Sequence, residues 1–182
     1  MKIRLFFLLI FFFSCNNYNS NFKIEKGKVG KVNTETKIQE LDSLFFNDSI
    51  VKRIGEGDYV FSGTDKYLIY DKKENHLLTI IPKQQHDPNE TIETIQIIDK
   101  NFKTLNGIHV GSSFREISKS HKISSIQNTI NNVIVFVDEI DAYFVFDKKN
   151  LDKKFQNETE KKIEPKDIPK NSKIKRFMIG WN

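Results

Sequence analysis

Two stretches constrain this chain more than any others. "KYLIYDKKENHLLTIIP" (66–82) and "NVIVFVDEIDAYFVFD" (132–147) each hold two runs rich in β-branched and aromatic residues around a polar tetrad. Such runs bounded by turn residues read as β-hairpins. The tetrads are Lys72-Lys73-Glu74-Asn75 and Asp138-Glu139-Ile140-Asp141. In the first hairpin Leu68 and Tyr70 share one face, and Tyr67 and Ile69 share the other. In the second, Val133, Val135 and Val137 alternate with Ile134 and Phe136. Strands apolar on both sides belong at the centre of a sheet or under cover on both faces. A lone hairpin is marginal in water, so these strands must join a larger sheet. The aromatics mostly belong to the core, but the second half carries enough of them to leave an exposed patch, which would be a binding surface.

A short helical pattern precedes each hairpin. In "TKIQELDSLF" (36–45), Ile38, Leu41 and Phe45 fall at i, i+3 and i+7. In "SSFREISKSH" (112–121), Phe114, Ile117 and His121 repeat that spacing. Thr36 with Gln39, and Ser113 with Glu116, fit capping boxes. Ile38 superimposes on Phe114, Glu40 on Glu116, and Leu41 on Ile117. Further strands are expected at 22–32, 58–62, 91–99 and 173–181. The expected fold is α+β: an antiparallel sheet built from two helix-plus-β-hairpin repeats, about 22–90 and 91–182, with two short helices packed on one face.

The N-terminus has a different character. Lys2 and Arg4 precede an unbroken apolar run, Leu5 to Phe13, then Ser14 and Cys15. Charge, apolar core and a small residue make the plan of an export signal. The run is short of the roughly 20 residues that a membrane-spanning helix needs. Cys15 is the one cysteine of the chain, which excludes an internal disulfide framework. Ser14-Cys15 behind this run resembles the lipobox of bacterial lipoproteins. The resemblance implies cleavage after residue 14, lipidation of Cys15, and a chain anchored to the cell envelope of a Gram-negative bacterium, facing the periplasm. The −3 position holds Phe12 where that family usually has Leu. Residues 15–21 then read as a polar tether, and 22–182 as one domain.

Lys2 and Arg4 leave with the signal, so the net charge falls from +5 to +3. That is too weak to argue for nucleic acid. From Lys148 to Arg176 there are eleven Lys/Arg against five Asp/Glu. This stretch reads as a solvated loop, or as a surface facing anionic headgroups.

"VGKVNTETKIQEL" and "GIHVGSSFREI" together resemble a broad group of small bacterial envelope proteins. It includes the small lipoprotein of outer-membrane β-barrel assembly and the tandem-repeat β-lactamase inhibitor protein. The resemblance implies a fold and a non-enzymatic tendency, and no binding residue is carried over.

Catalytic patterns are absent. His76, His86, His109 and His121 form no metal-binding spacing, and "HDPNE" (86–90), with His86, Asp87 and Glu90, reads as a turn. "GEGDYVFSG" (55–63) lacks the third glycine of a phosphate loop. Asp42-Ser43-Leu44 and Asp48-Ser49-Ile50 match a short O-glycosylation pattern of some exported bacterial proteins. The chain therefore reads as a non-enzymatic binding or structural protein without metal or cofactor. It would be held to the membrane by its lipid and bind an envelope protein or component. A glycan- or peptide-acting hydrolase is the alternative. It would use carboxylates such as Glu116 or Asp138, paired roughly 5–10 Å apart. A small-ligand carrier would need a closed apolar cavity of at least about 300 Å³.

Overall fold

The computed structural model describes residues 20–55 and 65–181. The expected signal segment, Cys15 and the expected strand at 58–62 lie outside them. After a 3-10 turn at Ser20–Phe22 come three short strands, β1 (Lys23–Glu25), β2 (Lys28–Val29) and β3 (Val32–Asn33). A 3-10 turn at Ile38–Glu40 runs into α1 (Leu41–Leu44). A meander follows: β4 (Ser49–Arg53), β5 (Lys66–Tyr70), β6 (His76–Pro82) and β7 (Ile92–Ile97). Then come β8 (Lys103–Thr104), α2 (Phe114–Ser120), β9 (Ser125–Asn128), β10 (Asn132–Val137) and β11 (Ala142–Asp147). A one-turn helix α3 (Lys153–Gln156) precedes β12 (Arg176–Gly180).

The architecture corrects the expected α+β fold of two helix-plus-hairpin repeats. The chain is mostly β. Eight strands form one antiparallel sheet in the order β4-β5-β6-β7-β12-β11-β10-β9, and a four-stranded mixed sheet has the order β3-β2-β1-β8. The helices are four, seven and four residues long. Two features defeated the expectation. "SIVKR" and "SIQN" are too polar to stand out as strands, yet each extends a hairpin into a meander as β4 and β9. The run 22–32 is broken into three strands at Gly27 and Gly30, whose φ values of 68° and 53° suit glycine.

Register sorts the side chains of the large sheet. Ile69, Leu78, Ile97, Phe177, Phe146 and Val133 lie on its inner face. They are at most 2% exposed and share one core. The opposing layer is assembled from several pieces: Ile24, Val29 and Val32 of the small sheet, Leu41 of α1, and Phe114 and Ile117 of α2. The lysine-rich stretch completes it. Leu151, Phe155, Ile163 and Ile168 are buried in that core while the lysines between them face water. One lysine is an exception. Lys148 is buried, and its ammonium donates to the carbonyls of Thr129 and Glu158 at 2.9 and 2.7 Å. A buried cation needs such acceptors, and here they pin the loop to the sheet.

The beginning of the described chain is fixed as firmly. Phe22 packs edge-on against Phe102 at 5.0 Å between centroids. Gly30 donates to the Lys23 carbonyl at 2.8 Å. A Cβ on Gly30 would stand 2.3 Å from the Asn21 carbonyl oxygen. Gly30→Ala therefore meets both a clash with backbone and a left-handed φ. It is expected to cost about 2–3 kcal/mol, read as a lowered urea midpoint with an unchanged m-value.

Candidate functional site

The inner face of the large sheet is fully occupied, and the outer face is the candidate site. The ladders align one row of side chains across all eight strands: Val51, Leu68, Thr79, Gln96, Met178, Tyr143, Phe136 and Ser125. Beside it, Arg176, Val145, Ile134 and Gln127 form a second row. Leu68 and Val145 are 6% and 3% exposed, yet they stand apart from the main core. Met178, Tyr143, Phe136 and Ile134 are half-buried. Leu68 and Val145 are therefore buried on the outer side of the sheet, separately from the main core.

The row is most aromatic where β10, β11 and β12 meet. Phe136 and Tyr143 are cross-strand partners with ring centroids 5.7 Å apart. Tyr143 lies against Gly180, where a Cβ would stand 3.4 Å from the ring. That is ordinary contact distance, so the ring packs directly over the backbone here. Burial raises the Tyr143 phenol above its usual pKa, opposed by a hydrogen bond with Thr94. The phenol stays neutral at physiological pH and remains a donor. A dimple of about 280 Å³ sits beside the pair, lined by Phe136, Asp138, Asp141, Ala142, Tyr143 and Gly180.

Charge on the outer face is uneven. Arg53 and Lys66 are directly opposite each other, and Arg176 stands in the neighbouring row. Asp147 is the acidic member of these ladders, and exposed Glu93 of β7 adds a second carboxylate close to Tyr143. Like charges placed opposite each other are unfavourable.

The residues singled out in the sequence have other duties. Glu116 caps α2: its carboxylate accepts from the Ser113 amide at 2.7 Å and the Ser113 hydroxyl at 2.6 Å. These bonds hold its pKa below the ordinary carboxylate value, which suits a permanent acceptor and not a proton donor. Asp138, Glu139 and Asp141 lie at the β10–β11 turn but act separately. Asp141 accepts from the Gly27 amide at 2.9 Å, tying the small sheet to the turn. Glu139 binds Nδ1 of His121. The His121 ring is buried, and its Nε2 has no partner among the described residues. The Asp138 amide donates to Ser124 Oγ.

His86 lies beside Asp65 rather than a metal cluster. The buried Asp65 carboxylate accepts from the amides of Gly55 and His86 at 2.9 and 2.7 Å. No group of three or more potential metal ligands occurs among the described residues. His109 accepts from the Gly111 amide at 3.0 Å, and burial lowers its pKa. His76 stacks on Tyr70 at 4.7 Å on the outer face, and burial lowers its pKa as well. Ser43 sits inside α1, donating to the Glu40 carbonyl, and Ser49 opens β4.

Sequence reasoning did not single out Met178, Val145, Gly180 or Asp65. The alternation in "AYFVFD" and "RFMIG" held the signal for the first three, because Tyr143, Val145, Met178 and Gly180 have the opposite parity to buried Phe144, Phe146, Phe177 and Ile179. A surface groove of about 670 Å³ runs between Ser124–Ile126 and Lys162–Lys166. It is open along the sheet edge, unlike the closed apolar cavity of a small-ligand carrier.

No family model and no curated protein matches the chain. The crystal structure of the uncharacterized protein yfeY from Escherichia coli is similar, with a TM-score of 0.55. The similarity covers 87% of this chain and 99% of that one at 15% identity. At that identity it establishes a shared fold and nothing about activity.

The capping carboxylate sets a pH dependence. A folded-state pKa below the unfolded value contributes stability that is present above the unfolded value, about 4.3 for Glu, and is lost as pH falls through the lowered folded value. Glu116→Gln should therefore be less stable than wild type near neutral pH, by under about 1 kcal/mol for so exposed a group. The gap should close in strong acid. Urea midpoints across the acid range check this.

Proposed function

We propose that this chain is a lipid-anchored lipoprotein of the bacterial cell envelope that binds a protein partner and performs no chemistry of its own. The observation that carries the binding half is the half-exposed group Met178, Tyr143 and Phe136, side by side on β12, β11 and β10 of the outer face. Apolar surface gathered in this way marks interaction sites. Aromatic side chains and Met are enriched in protein interfaces. The cationic pair Arg53–Lys66 on the same face favours a partner with carboxylates around an apolar centre.

The anchor half rests on Ser14-Cys15 behind the apolar run of residues 5–13. It agrees with the chain's single cysteine. Two acyl chains or more would hold the protein far more firmly than one, since each buried CH₂ adds about 0.8 kcal/mol.

Two measurements test the halves separately. Intact mass and membrane fractionation of the native protein should reveal a lipid adduct on the wild type. Cys15→Ala should lose the adduct and be released from the membrane. An unmodified, soluble wild type would refute the anchor. A photoreactive side chain at Met178 should give one discrete crosslinked species in cells, and Tyr143→Glu should abolish it. The same probe at Glu74, in the β5–β6 turn, should give none. Equal labelling from both positions would exclude the sheet face as the binding surface.

A further inference from the structure

We infer that the outward face of the small sheet lies on the membrane and binds anionic lipid headgroups, an orientation that rests on the lipid-anchor reading above. The first argument is reach. Five peptide units separate Cys15 from Ser20, and a fully extended chain of that length spans at most about 17 Å. No slack is available beyond Ser20. Asn21 is wedged against Gly30, and Phe22 is packed on Phe102. A lipid on Cys15 therefore keeps the β1 end of the domain within about 17 Å of the bilayer surface.

The second argument is charge. Burial alternates along the small sheet. Ile24, Val29, Val32 and Thr104 face the core, so Lys23, Lys28 and Lys103 face outward. Lys23 and Lys103 are direct neighbours across the parallel β1–β8 pair. Lys26 and Lys100 sit in the adjoining turns, both exposed. Against these five ammonium groups stand Glu25, paired with Lys23 at 2.8 Å, Asp99 in the turn beside Lys100, and Glu139, which is bound to His121 beside Lys26. Lys26, Lys28, Lys100 and Lys103 have no ion-pair partner among the described residues, where Lys31, Lys52 and Lys166 do.

Unpaired like charges gathered on one small sheet repel one another. An anionic surface within a Debye length, about 8 Å at physiological salt, relieves that repulsion. The tether brings the bilayer within range of this face before any other. The lysines of 148–176 are more numerous, but the geometry does not favour them: that segment is stitched into the core by Phe155, Ile163 and Ile168 and is not tied to the anchor.

The test uses the full lipidated chain in vesicles of phosphatidylcholine alone, and of phosphatidylcholine mixed with phosphatidylglycerol. Amine acetylation is followed lysine by lysine by mass spectrometry. In the anionic vesicles Lys23, Lys28 and Lys103 should label roughly threefold or more slowly than in neutral ones. Lys72 and Lys73, in the β5–β6 turn, should not change. High salt should remove the difference. Equal rates in both vesicles, or protection confined to Lys148–Lys175, would overturn the inference while leaving the anchor intact. A wild-type chain without a lipid adduct would overturn the anchor itself, so the two failures are distinguishable.

Discussion

The pairing of β7 with β12 holds this molecule together. Each half of the large sheet is a meander of neighbouring strands, β4 to β7 and β9 to β12, the second carrying the long 148–175 connection between β11 and β12. The seam between the halves joins Ile97 to Phe177 and Ile95 to Ile179, residues far apart in the chain. It is prolonged by the Trp181 amide donating to the Glu93 carbonyl at 2.7 Å. All four side chains of the seam are at most 2% exposed. Everything else depends on this contact. The inner face becomes wide enough to take a composite second layer, and the outer face becomes a continuous surface instead of two narrow ones. Pairing between strands so distant in sequence carries a loop-closure cost that the local hairpins do not.

Parity along the strands explains why one face is core and the other is a surface. A shift of one residue at the seam would exchange Phe177 for Met178 and Ile95 for Gln96 on the inner face. Bulky apolar groups would meet water, and a buried amide would lack partners. Register is thus fixed by burial, and the binding face is defined as the remainder. Tyr143, Met178 and Phe136 lie outward because their neighbours in sequence are needed inside.

The strands of both hairpins were legible in the sequence because alternation of β-branched and aromatic residues survives any tertiary context. The capping box of Ser113 and Glu116 was legible for the same reason: it is local, and the structure contains it. Three things were not legible. The polar strands β4 and β9 carry almost no apolar signal, since they are rims exposed along one side. The helical patterns at 36–45 and 112–121 have the right spacing but form helices of only four and seven residues, too short to shape the fold. The seam depends on which meander finds which, and composition does not encode that. For the candidate site, the aromatic excess of the second half was visible, but its arrangement into one row required the register of all eight strands.

The two rims of the large sheet are finished differently. Along β9 the neighbouring chain is stitched on by the Asn128 amide, which donates to the carbonyls of Glu158 and Lys161 at 2.8 Å. Along β4 the closure is ionic, with Arg53 and Lys52 on the strand and Lys52 paired to Asp42 at 3.0 Å. Hydrogen bonds within the chain are indifferent to dissolved ions, whereas exposed charges are not. A strand edge guarded by charge repels its own copies only while that charge is felt. The β9 rim is thus held at its Asn128 end by bonds that dissolved ions leave alone, whereas the charges guarding β4 act less strongly as ionic strength rises.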